Sequence, residues 1–88
     1  MIKIKNLTLK DYFEFERRFG VSIFRIEDLL FDPEKVCDLR AEWIAYLTYL
    51  SWRKEKGNEG KSYDDFLKEI KDIGSLVDKF FELIQKKV

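Results

Sequence analysis

Asn58, Glu59, Asp64, Asp65 and Glu69 all fall within "GNEGKSYDDFLKEI", residues 57–70, a carboxylate-bearing loop that runs into a helix start. That outline suggests a calcium loop. Such a loop needs oxygen ligands at alternating positions and a closing Glu. Lys56, Gly57 and Lys61 stand where ligands are required, so the chemistry fails on residue type. The same stretch contains "GKS", the end of a phosphate-binding loop. Its first glycine is not four residues ahead of "GKS", and no buried strand precedes it. Cys37 lies among polar residues and has no histidine to activate it, because the chain contains none. The absence of histidine also removes the commonest general base and metal ligand. Glu16 falls inside the apolar arc of "YFEFERRF". With no second acid or His beside it, a structural role is expected, as acceptor for a loop backbone or partner of Arg25 or Arg40. These residues point to no enzyme, no metal site and no cofactor, which leaves surfaces as the carriers of function.

The elements that would present those surfaces are mostly helical. In 88 residues, 45% are hydrophobic and 39% charged, which describes a folded domain. A chain this short buries about 60–65% of its unfolded surface, so the whole of 1–88 is expected to form one domain with a modest core. The 17 basic and 17 acidic residues cancel and give no general pull toward nucleic acid or anionic lipid. One cysteine makes no internal disulfide, and no run is long enough to span a bilayer or resemble a signal peptide. The expected setting is cytoplasmic.

Ile2 and Ile4 alternate with Lys3 and Lys5, which predicts a short strand or extended arm. Thr8 with Asp11 predicts a capped helix over 9–19, and Gly20 its C-cap. Residues 21–26, "VSIFRI", predict either a second strand pairing with that arm as a hairpin or an extended connector, and "IEDLLF" a helical turn or two. Asp32-Pro33 reads as a helix start, with nothing to break the helix before Gly57. That gives a central helix of about 24 residues, roughly 36 Å long. Gly57 to Gly60 form the turn, Ser62 with Asp65 cap a short helix, and a last helix runs to about Lys87. The expected fold is mainly α, a small bundle of about four helices around the long one.

At about 100° per residue, Val36, Leu39, Trp43, Leu47 and Leu50 share one arc of the long helix, with Ile44 and Tyr46 at its margins. Ala41, Ala45, Tyr49 and Trp52 lie opposite, beside Thr48. Two readings stand. The helix is central and covered on both sides by its own domain, or the second strip is open to another chain. The last helix shows a similar excess, Ile73, Leu76, Val77, Phe80 and Ile84 widened by Phe81 and Leu83. Ala41, Ala45, Tyr49, Trp52, Phe81 and Leu83 are therefore the candidate partner-binding residues. Arg17, Arg18, Arg53 and Lys54 are the alternative, a basic patch of a small regulator or antitoxin-like module that binds nucleic acid or protein.

"LKDYFEFERRFG", then "LRAEWIAYLTYLSWRKEKG", then "SYDDFLKEI" together resemble the small tail assembly chaperones of long-tailed bacteriophages. The similarity covers about 9–70 and is one of pattern. It implies a helical, non-enzymatic protein that binds the long helical tape-measure protein and keeps it soluble during tail assembly. It further implies self-association into homo-oligomers and a longer frameshifted form, of which this chain would be the short one. Neither nucleic acid nor membrane is an expected partner. If the open-strip reading is right, Tyr49→Asp with Trp52→Asp abolishes partner binding or oligomerisation and leaves helical circular dichroism largely intact. Unfolding of that variant would give the strip to the core.

Overall fold

A computed structural model describes residues 3–85, with only the backbone of Gln85; Ile2 and Lys87 lie outside the described residues. The chain is mainly helical, as the sequence predicts, with α1 (Leu9–Phe19), α2 (Ile23–Phe31), α3 (Ala41–Trp52), α4 (Tyr63–Glu69) and α5 (Ile73–Leu83). Two two-residue strands, β1 (Lys3–Ile4) and β2 (Ile84–Gln85), pair antiparallel with Ile4 opposite Ile84.

The capped starts follow from local chemistry. Thr8 accepts from the Asp11 backbone and Asp11 answers the Thr8 N–H at 2.8 Å, and Ser62 and Asp65 repeat this exchange. Gly20 ends α1 at φ 65°, a left-handed position that a side chain would strain.

Three expectations are corrected. Residues 21–26 are not a strand. Ser22 caps α2 by accepting from the Phe24 N–H at 3.2 Å, and Ile23, Ile26 and Leu29 recur at helical spacing and are buried. The partner of the N-terminal strand is therefore β2 at the other end of the chain. The 24-residue helix is also broken. Asp32 ends α2 in extended conformation, the region favoured before proline. Its carboxylate accepts from the Glu34 N–H at 3.0 Å, which sets a turn instead of a helix start. Only a single 3-10 turn, Val36–Asp38, follows, none of it buried, and Arg40 is extended again. Without tertiary burial, Val36, Cys37 and Asp38 gain nothing that offsets their weak helix propensity. Val36, placed by the sequence in the core stripe, is exposed. The last helix, finally, stops at Leu83, where the chain turns into β2.

α3 is central all the same. Its nine residues from Ile44 to Trp52 are consecutively buried. α5 packs along one side, and α1 and α4 cover the others. Leu47 and Leu50 are wholly enclosed, with Phe15, Phe66 and Phe80 arriving from the surrounding helices. Two polar residues are buried with them. The Thr48 hydroxyl donates to the Ile44 carbonyl at 2.7 Å. The Ser51 hydroxyl has no partner among the described residues. Ser51→Ala is accordingly expected to raise the unfolding free energy by about 1 kcal/mol. The midpoint of urea denaturation checks this. A loss of stability would show that the hydroxyl is satisfied.

Candidate protein-binding surfaces

The strip of Ala45, Tyr49 and Trp52 is the first place to look for a surface, and the fold has closed it. α4 lies across it. Tyr63 and Phe66 bring their rings to 5.3 and 6.0 Å from Tyr49, and Phe66 meets Trp52 edge-on at 5.3 Å. Tyr46 stacks on Tyr49 at 5.6 Å, and the Tyr49 hydroxyl donates to the Lys61 carbonyl at 3.2 Å. Tyr49 is 7% exposed and Trp52 4%. Ala45 and Leu83 are also buried. These four candidates are core residues, so the reading in which α3 is covered by its own domain is the one that holds. Ala41, at the start of α3, and Phe81 are the two candidates left at the surface.

The basic residues divide likewise. Arg53 reaches Asp11 at 3.1 Å and Glu14 at 3.3 Å, and Lys54 binds Asp11 and donates to the Asn6 carbonyl at 2.7 Å. Both cations leave α3 just after its last turn and fasten that end to α1. Arg18 lies over the Tyr46 ring at 4.5 Å and the Tyr63 ring at 5.4 Å, a cation–π contact that closes the aromatic cluster. Arg17 is exposed. Glu16 accepts from the Ile23 N–H at 3.0 Å, in the structural role expected of it. Cys37 is exposed. Among the described residues, no group of three or more His, Cys, Asp or Glu side chains could hold a metal ion, and no helix is long and apolar enough to cross a membrane.

The apolar area that does reach solvent lies on the outer helices. On α5, Leu76, Phe80 and Leu83 face inward, while Ile73, Val77 and Phe81 occupy the adjoining arc at one-turn intervals. They are 60%, 37% and 59% exposed. The sequence placed Ile73 and Val77 in the core stripe of this helix, but α3 covers only the other edge of it. On α2, Phe24 and Phe31 stand out to similar degrees on the face opposite Ile26. Glu27, Asp28 and Asp32 share with them a shallow open groove. The sequence reading missed this pair because it took 21–26 as extended. The seven-residue spacing of the two phenylalanines, with acids between them, is the signal that a helical reading would have exposed. Leu9 and Phe13, on the outer side of α1, complete the main exposed apolar positions on the longer helices.

No protein-family model, no curated protein and no solved structure matches the chain.

Asp11 contributes to the acid response. Burial pushes its carboxyl up, but the Lys54 hydrogen bond, the Thr8 backbone and hydroxyl donors and the Lys54 charge outweigh that and hold it below its ordinary value. A lowered folded pKa gives stability that is fully present above the unfolded value, about 3.9, and is lost as pH falls through the folded one. Asp11→Asn is expected to cost about 1–3 kcal/mol at neutral pH. Its stability should also fall less steeply than the wild type's as pH drops below about 4. Chemical denaturation across that range checks both, and parallel curves would remove Asp11 from the acid response. For the aromatic strip the expectation reverses: Tyr49→Asp with Trp52→Asp should unfold the protein, as read by loss of helical circular dichroism.

Proposed function

We propose that the protein is a non-enzymatic helix-binding module that acts as an assembly chaperone, of the tail-assembly type its 9–70 pattern resembles. In this reading the Ile73–Val77–Phe81 stripe of α5 is laid against the apolar face of a long helical, tape-measure-like partner and keeps that partner soluble.

The observation that carries the reading is the two-faced character of α5. One edge of its broad apolar arc is used up against α3, and the next edge is left bare on a helix already packed against the core. Exposed apolar residues one turn apart form the anchor pattern of helix-to-helix recognition. Because the helix is ordered before it binds, little further ordering cost opposes the contact. Each fully buried Ile, Val or Phe contributes about 1.5–3 kcal/mol. A stripe of three therefore supports weak binding by one copy, and several copies along one extended partner gain by avidity. Such a partner exposes long apolar stripes of its own, which aggregate unless covered.

Co-expression with a long helical tape-measure-type protein tests this. Wild-type chain is expected to hold that protein in the soluble fraction. Val77→Asp with Phe81→Asp should keep its helical circular dichroism, since both side chains are at the surface, and should weaken binding about tenfold or more. Undiminished solubilisation by that variant would remove α5 from the contact.

A further inference from the structure

The groove on α2 has a different character from the α5 stripe. Phe24 and Phe31 project from one face about 10 Å apart along the helix axis, at about 1.5 Å per residue. Glu27 and Asp28 occupy the turn between them, and Asp32 closes the end. From Phe24 to Asp38, five carboxylates stand against two cations, in a chain whose charges balance only over its full length. Lys35 spans Asp28 at 3.0 Å and Asp32 at 3.8 Å. Its ammonium is held above its ordinary pKa first by the Asp28 hydrogen bond and then by the charges of both acids, a sign of the local negative field. The exposed side of α2 is thus an aromatic pair set in an acidic rim, while its other side is fixed to the core through Ile23 and Ile26, with Leu29 also buried.

We propose that the Phe24–Phe31 groove of α2, with Glu27, Asp28 and Asp32 as its rim, is a second docking surface, specific for a cationic amphipathic helix of another protein. The charge sets the occupant. Two copies of this face set against each other would bring like charges together across the contact, which disfavours a symmetric pairing of the chain through it. A helix with an apolar stripe and Lys or Arg on its flanks meets both parts of the groove. Its apolar residues two turns apart match the spacing of the phenylalanines, and its cations meet the rim. Rim charges mainly set specificity and encounter rate, and the two rings supply the area. The surface lies on a different helix from the α5 stripe, so its failure leaves the function proposed above standing.

The test uses the full chain and two fluorescently labelled synthetic helical peptides of about five turns, roughly 18 residues. One is built of Leu and Lys and the other of Leu and Glu, with the same Leu stripe. Fluorescence anisotropy is read at low and high ionic strength. The Leu–Lys peptide should bind at least about tenfold more tightly than the Leu–Glu peptide, and the margin should shrink as salt rises. Phe24→Ser with Phe31→Ser should weaken its binding about tenfold or more. Asp28→Lys should weaken it about five- to tenfold. Both variants change exposed side chains, and far-ultraviolet circular dichroism verifies that they remain folded. Equal affinity for the two peptides, no binding of the Leu–Lys peptide, or full binding by the Phe24/Phe31 variant would overturn the proposal. So would concentration-dependent dimerisation of the peptide-free chain that the same variant abolishes, since that gives the face to a second copy.

Discussion

The fold depends on the enclosure of α3. A helix whose side chains are apolar on every side cannot rest on a single neighbour, and Ile44 to Trp52 are buried without interruption. The remaining helices are arranged by this demand. α5 lies along one flank, α4 brings Tyr63 and Phe66 over the Tyr49–Trp52 strip, and α1 closes the rest with Phe15 and the Arg18 cation–π contact. Even the polar contacts serve it. Arg53 and Lys54 bind Asp11 where α3 ends, and Glu55 meets Lys79 of α5 at 3.0 Å, so the C-terminal end of α3 is tied to both neighbours. The two-stranded pair of β1 and β2 brings the ends of the described chain together beside this core, with Ile4 buried and its N–H directed to the Tyr12 hydroxyl.

Enclosing α3 uses up the inward faces of the outer helices and decides what they have left. α5 gives Leu76, Phe80 and Leu83 to the core and keeps Ile73, Val77 and Phe81 outside. α2 gives Ile23 and Ile26 and keeps Phe24 and Phe31 outside. In so small a domain the bare apolar area lies on the backs of the helices that build the core. The two bare faces differ in chemistry: α5 offers an aliphatic and aromatic stripe, and α2 two rings among carboxylates.

How much of this is legible in the sequence depends on the range of the forces involved. Thr8 with Asp11 and Ser62 with Asp65 are read correctly because each cap is a bond between a side chain and backbone three residues away, and Gly20 because its left-handed turn and its N–H bond to the Glu16 carbonyl are equally local. Ser22 is a cap of the same kind, but the β-branched and aromatic residues around it hide the 3.6-residue spacing of Ile23, Ile26 and Leu29. Asp32-Pro33 has the residue types of a helix start. Only the lack of anything to bury at Val36, Cys37 and Asp38 shows that no helix follows, and that is a tertiary fact. For α3 itself, the sequence shows that both sides are apolar. It does not show whose atoms cover the second side, since Tyr63 and Phe66 lie beyond a glycine turn. Glu16 is the exception among the tertiary contacts, because a carboxylate in an apolar arc requires a donor nearby.

Amide hydrogen exchange resolved by residue tests the enclosure of α3 most directly. The hydrogen-bonded amides from about Leu47 to Trp52 should exchange only through global unfolding, equally slowly on both sides of the helix, while those of residues 34–40 should exchange through local opening. Slow exchange continuing unbroken from 36 through 52, or fast exchange confined to the Tyr49 and Trp52 side, would contradict the account.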